Sequence, residues 1–413
     1  MKRRDVLPRD AWLAATARGM SLMGDAVAYV CLVWRMKEHG TVAVTALTLA
    51  MAIPMVVAAP WAGLLADRVS AKRIVITVTI AQALIAAGLF WTGSTAMTVI
   101  ALAALALGTA IANPAWMALL PKLVSEEQLP RAMGLSQSFV AIGNLAGPAL
   151  GGALIAATDT RWPLLLDAAT FLVYAVLAAL LSKDRVPTLA QVSGGRLSEL
   201  TAGLRVLRND TIMCTLLAIL VVSVLGFGAL NVVEVFFITE ELGAGSTAYG
   251  VLGLVYGAGN LLGAQLFPRL NIPRSRLPVS VVVSELVIAA GLMCFAFSRD
   301  VRVAALLLLV AGIGNGVINM VFGLLFAYRV PDDVRGRFGS AFGSIITVSS
   351  LTSMAAAGLI GTSVAASTVI AAGGFLALCA GLIGWPILHR AQHREALGSR
   401  RGGEQEAATA PQA

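Results

Sequence analysis

Runs of about 20 apolar residues follow one another along almost the whole chain, separated by short polar stretches. A helix of that length crosses the hydrocarbon core of a bilayer, and a soluble fold has no use for so many. Twelve spans are read, at 12–34, 43–65, 74–91, 97–120, 135–157, 162–181, 211–237, 249–267, 277–297, 301–328, 338–361 and 365–388. Only 13% of the chain is charged, against about 25% in a soluble protein. The 41 glycines suit helices that approach closely in lipid. The expected fold is an all-α integral membrane protein with twelve transmembrane helices in two pseudo-symmetric six-helix bundles.

Lys and Arg set the orientation. Alternate segments, beginning with the N-terminus and ending with the tail, hold 24 of the 30 basic residues; the opposite segments hold Arg35, Lys37, Arg161, Arg299 and Arg302, and Arg18 lies inside the first span. Both termini are therefore expected in the cytoplasm, at the inner membrane of the cell. The net charge of +8 sits in these short loops and does not point to nucleic acid. Lys2, Arg3 and Arg4 precede a first apolar segment that lacks a convincing small-residue cleavage site, so no cleavable signal is read.

The chain divides into a first bundle, 1–181, a linker, 182–210, a second bundle, 211–388, and a basic tail, 389–413, expected to be disordered. The linker carries an amphipathic helical pattern at Leu197, Leu200, Leu204 and Leu207 and is read as lying on the cytoplasmic membrane surface. The halves echo each other: Gly63 to Arg73 has a degenerate counterpart at Gly263 to Arg276, and Pro121 to Arg131 one at Pro331 to Arg337. Two such repeats are a transporter architecture.

Catalytic and metal chemistry find no foothold. His39, His389 and His393 form no triad or metal pattern, and Cys31, Cys214, Cys294 and Cys379 are scattered through apolar segments without zinc or disulfide spacing. No G-x-x-x-x-G-K-[ST] phosphate loop occurs. The protein is read as a non-enzyme with no cofactor, its energy source a proton gradient, its partners a small-molecule substrate and the lipid bilayer, and its state a monomer.

Two local patterns carry more. Gly63-Leu64-Leu65-Ala66-Asp67-Arg68-Val69-Ser70-Ala71-Lys72-Arg73 places one acid among three bases just after the second span, and Asp67 is also placed to face a helix N-terminus. In the fifth span, Gly143-x-x-x-Gly147-Pro148-x-x-Gly151-Gly152 makes a groove for close helix packing, bent at the proline. Gly250, Gly253, Gly257 and Gly263 in the eighth span offer a partner surface.

The first pattern resembles the loop between helices two and three of the major facilitator superfamily, and the second resembles the antiporter motif of its exporters. Ser70 and Ala71 depart from the family loop. Asp25 after Ser21 and Gly24, Asn113-Pro114-Ala115, Leu119 to Glu127 and Val330 to Arg337 look like the branch of macrolide, multidrug and siderophore exporters, including enterobactin exporters. The resemblance implies that Gly63, Asp67, Arg68, Lys72 and Arg73 form a conformational latch between lobes. It also implies that spans one, four, seven and ten line a central cavity while three, six, nine and twelve are peripheral.

An acid at mid-bilayer costs about 2.5–3.5 kcal/mol on insertion scales and defaults to a functional role. Asp25 lies roughly 20 Å into the first span at 1.5 Å per residue, on one face with Arg18, Ser21 and Tyr29. Glu234, near the outer end of the seventh span, shares a face with Phe227 and Asn231. The family's arrangement ranks Asp25 and Glu234 as proton carriers above Asp167 and Glu285. The alternatives are that Arg18 merely holds Asp25 as a structural acid, and that Glu234 is a surface acid at the outer mouth. Tyr29, Asn113, Trp116, Asn231, Asn315, Asn319 and Phe322 are expected in the substrate cavity. The function read is proton-coupled export of a small amphiphilic compound, such as a drug, macrolide or siderophore, by alternating access. A facilitator or importer on the same fold, or a transporter-like receptor or enzyme, is the alternative.

Overall fold

The computed structural model describes residues 7–182, 184, 210–330 and 335–409. Every regular element among them is helical: α1 (Arg9–Met36), α2 (Thr41–Arg68), α3 (Ala71–Gly88), α4 (Thr95–Leu123), α5 (Leu129–Ala157), α6 (Trp162–Ala179), α7 (Thr211–Phe227), α8 (Leu230–Phe236), α9 (Ser246–Leu266), α10 (Leu277–Ala296), α11 (Val301–Arg329), α12 (Arg335–Ile360) and α13 (Ala366–Thr409). Helices are what a bilayer demands, because each backbone N–H and C=O finds its partner within the segment.

Eleven stretches of the described chain are long and apolar enough to cross a membrane, with α7 and α8 joined in the single stretch Thr211–Glu241. The twelfth span is α1, 28 residues long, with Arg18 and Asp25 in its interior. The seventh span, read as ending at 237, runs on through a π-turn, Phe237–Glu241. That wider turn keeps Phe237 and Ile238 buried while Glu240 is exposed. α13 continues beyond 388 to Thr409, where a structureless tail was expected; Ala, Gln, Arg and Glu, good helix formers, fill much of that stretch. The linker helix pattern at 197–207 lies outside the described residues.

Side-chain caps start several helices. Ser70, Ser94, Asp210 and Asp300 accept backbone N–H groups in the first turns of α3, α4, α7 and α11. Pro130, Pro163 and Pro278 occupy first turns, where a missing N–H costs nothing. The turn from α1 to α2 closes on Gly40 at φ 85°, a left-handed position natural to glycine.

α1 to α6 pack together as one half and α7 to α13 as the other. The bundle has two ends. The basic end carries the α2–α3, α4–α5 and α10-leading loops; the far end carries the α1–α2, α3–α4 and α5–α6 loops.

Candidate functional site

The halves meet along a seam of glycines. A Cβ at Gly143 would lie 2.5 Å from the Gly19 carbonyl oxygen, and one at Gly147 would lie 2.5 Å from Ala26 Cβ, so α5 lies on α1 almost backbone to backbone. One at Gly151 would meet Val27 of α1 at 3.1 Å. Gly152 turns the other way, onto Ser246 and Gly250 of α9. Gly250 in turn sits on the Pro148 carbonyl, Gly253 on the Pro148 ring, and Gly257 on Leu145. The expected partner surface for the fifth span therefore forms with three of its four glycines. Gly263 faces Ile313 of α11 instead, inside its own half.

A second crossing joins α2 to α12. Thr41 Oγ1 donates to the Gly361 carbonyl at 3.1 Å, and Gly358 packs on Thr45. Both crossings lie at the far end. Beside the second crossing is a cleft of about 440 Å³ lined by Lys37, His39 and Thr41 of one half and by Phe236, Glu240 and Gly361 of the other. Lys37 stacks on Trp34 at 3.8 Å, and the Trp34 ring lies 6.3 Å from that of Tyr249 across the seam. Partial burial holds the Lys37 ammonium below the usual lysine range, opposed by the charges of Glu38 and Glu240.

Inside the first half, Arg18 Nη2 donates to Asn113 Oδ1 at 2.5 Å. Its charge also acts on Asp25. The expected one-face relation of Arg18 and Asp25 is therefore present, with Asn113 as the hydrogen-bond partner. Asp167 on α6, ranked low because the sixth span should be peripheral, is 1% exposed. It lies against α1: a Cβ at Gly24 would be 2.6 Å from Asp167 Oδ1.

In the second half, Glu234 stands within electrostatic range of Tyr29 on α1 and of Tyr249 and Tyr256 on α9. The charge of this carboxyl is thus felt by a tyrosine of the other half. Glu285 is buried at 2% exposure, close to Ser223 of α7.

The expected cavity residues differ in their surroundings. Trp116 is 4% exposed and packs edge-on against Tyr174, with ring centroids 5.3 Å apart; its indole completes the core of the first half rather than a cavity wall. Phe322 is buried in an aromatic cluster with Phe326 and Phe342. Asn315 accepts from Asn260 at 2.6 Å and from Asn319 at 2.8 Å, tying α9 to α11. Asn231 is exposed, and its amide donates to the Gly228 carbonyl at 3.2 Å.

At the basic end, Lys72 Nζ donates to the Leu181 carbonyl at 2.7 Å and its backbone N–H to Asp184. Ser70, which departs from the family loop, caps α3 and also bonds Asp184. Arg68 is exposed. The side chains of Gly63 and Asp67, on the last turns of α2, lie outside the described residues. Met55, Val56 and Val57 are all exposed; consecutive helical residues point about 100° apart, so this part of α2 is bare on more than one face. An apolar cavity of about 670 Å³ opens here, lined by Val57, Trp61 and Leu65 of α2 and by Leu107 and Ile111 of α4, with Arg68 at its rim.

Sequence reasoning missed Tyr249, Tyr256 and the α2–α4 cavity. The tyrosines carried a signal, two aromatic hydroxyls a heptad apart among the glycines of the eighth span. The cavity did not, since Val, Trp and Leu on a span read equally as lipid-facing.

The Major Facilitator Superfamily profile matches residues 14–343. The chain is 28% identical over 345 residues to the uncharacterized MFS-type transporter YfiS of Bacillus subtilis, covering 82% of each. It is 27% identical over 399 residues to the multidrug efflux pump Tap of Mycobacterium tuberculosis, covering 90% of this chain and 92% of that one. Among solved structures it superposes on the nucleoside transporter NupG with a TM-score of 0.74 at 11% identity, over 92% of this chain and all of that one, a likeness of fold. With two six-helix halves meeting at a glycine seam, and with a match spanning most of its length, this chain belongs to the Major Facilitator Superfamily, a family of membrane transporters.

Proposed function

We propose that this transporter is a proton-coupled exporter of a small amphiphilic compound, with both termini in the cytoplasm. The observation that carries the reading is the electrostatic reach of Glu234 to Tyr29 on the other half. A protonatable group at that junction changes the fit of the halves when it gains or loses its proton, and so biases which arrangement is populated. Asp25 is the leading carrier and Glu234 the second. With the basic end cytoplasmic, the far-end seam is the closed external gate, and the Asp67 loop acts as the cytoplasmic latch when the halves rock over.

Further support comes from the apolar cavity with Arg68 at its rim, which suits an amphiphilic cargo, and from relatives named as multidrug and macrolide efflux proteins. The test is an accumulation panel of macrolides, dyes and siderophores in a host stripped of its own pumps. The chain should lower the accumulation of at least one amphiphile, and Asp25→Asn should restore it. Unchanged accumulation across all three classes, at verified membrane expression, would count against export.

A further inference from the structure

We infer that Asp167 shares the coupling proton with Asp25, so that the proton site of the first half is a carboxyl pair joined across α1 and α6. The inference rests on the reading of proton-coupled transport and adds to it a residue on a span otherwise read as scaffold.

The geometry comes first. α1 and α6 pack along their middles, and Gly24 makes this possible: any Cβ there would run into Thr170 Oγ1 and lie 2.6 Å from Asp167 Oδ1. Asp25 follows Gly24 in the chain, so the two acids meet at one α1–α6 contact. Asp167 is 1% exposed. Its neighbour Thr170 donates to the Asp167 backbone carbonyl at 2.8 Å, and reaches the carboxyl oxygen only at 3.4 Å. A carboxylate so buried needs more than one long hydrogen bond to remain charged.

A second observation points into the same place. Tyr174 Oη is buried and lies within reach of the Arg18 guanidinium and near Asp25, so the phenol belongs to the polar set around the pair.

Charge bookkeeping then decides the state. The groups facing the pair are Arg18 from α1 and Tyr174 from α6; α3 and α5, which also pack on α6, bring no charged residue between 74 and 88 or between 132 and 157. With one proton held between Asp25 and Asp167, the set carries one carboxylate opposite Arg18 and is neutral. Without it, the set carries two carboxylates and one guanidinium, and Asp167, 1% exposed, holds its share of the net negative charge out of water, which is expensive. Loading and unloading make and break one O–H bond, with water on either side of the membrane as donor and acceptor. The neutral, loaded set tolerates burial, and the unloaded set favours the arrangement in which water reaches α1.

The test reads protons and transport separately. Infrared difference spectra of the purified protein between acid and alkaline pH should show a protonated-carboxyl band that titrates. Asp25→Asn and Asp167→Asn should each lose the same part of it, leaving the contribution of Glu234, and the double variant should look like either single one. In inverted vesicles, Asp167→Asn should lower accumulation driven by a pH gradient about tenfold or more, with gradient-free counterflow retained, and Asp167→Glu should recover part of it. An unchanged titrating band and unchanged gradient-driven accumulation in Asp167→Asn would overturn the inference. Should Asp167→Asn fail to reach the membrane, the spectra of Asp25→Asn decide: a band still titrating as in wild type means that Asp167 does not share its proton. A wild type that ignores the gradient would sink the proposed function, while the spectra would still report on sharing.

Discussion

Gly152 of α5 lies directly on Gly250 of α9, so close that a Cβ at Gly152 would sit 3.1 Å from Gly250 Cα. This is where one half of the transporter touches the other with no side chain between. Gly152→Val should force the seam apart. Overpacking of this kind costs about 1–3 kcal/mol, enough to lower the far-end-closed population about fivefold or more. Spin labels at Val42 and Thr362, both on the far-end cleft, should report longer distances in the variant. An unchanged distribution would mean that the glycine contact does not govern closure.

Asn113 accepts a hydrogen bond from Arg18 at 2.5 Å inside the first half. Asn113→Leu leaves that guanidinium without its acceptor. Hydrogen bonds to charged groups contribute about 1.5–3 kcal/mol, so the detergent-solubilised variant should unfold several degrees lower. Asn113→Asp, which restores an acceptor, should recover most of the loss.

How far these features were readable follows from what kind of signal each leaves. Spans are written in apolar length, and these read through to the structure. The glycines of the fifth span and Gly250, Gly253 and Gly257 of the eighth were also legible, because a small residue every fourth position means close approach whatever the partner. Facing was not. Trp116 and Phe322 looked like cavity aromatics, and both turned inward to Tyr174 and Phe342, since an apolar helix has no polar side to fix its rotation. Asp167 was discounted by its span number, although a buried acid on α6 needs only one turn of α1 without a side chain, at Gly24, to reach the interior.

Lys37 gives a pH prediction. Its ammonium is held below the ordinary lysine range by partial burial, against the pull of Glu38 and Glu240. A lysine depressed in the fold binds fewer protons folded than unfolded, so stability rises with pH through the window below the unfolded value. The penalty is fully present at neutral pH and vanishes as pH climbs past the ordinary lysine value of 10.5. Melting of wild type and Lys37→Met should therefore be compared from neutral to strongly alkaline pH. The balance should move toward wild type as pH rises, and a pH-independent difference would show that burial does not disfavour the charge.

Orientation follows from the basic end. Reporter fusions after Leu181 and Tyr328 should report cytoplasm, and fusions after Trp91 and Gly361 should report the outside. A periplasmic signal from the central linker would break the two-half topology.

Proton-driven export is tested most directly in inverted vesicles loaded with acid, by following uptake of a radiolabelled macrolide with and without the pH gradient. Wild type should concentrate the compound only while the gradient stands. Asp25→Asn should fail to concentrate it and still exchange it downhill. Accumulation that ignores the gradient, or an Asp25→Asn variant that concentrates the compound at the wild-type rate, would contradict proton coupling through Asp25.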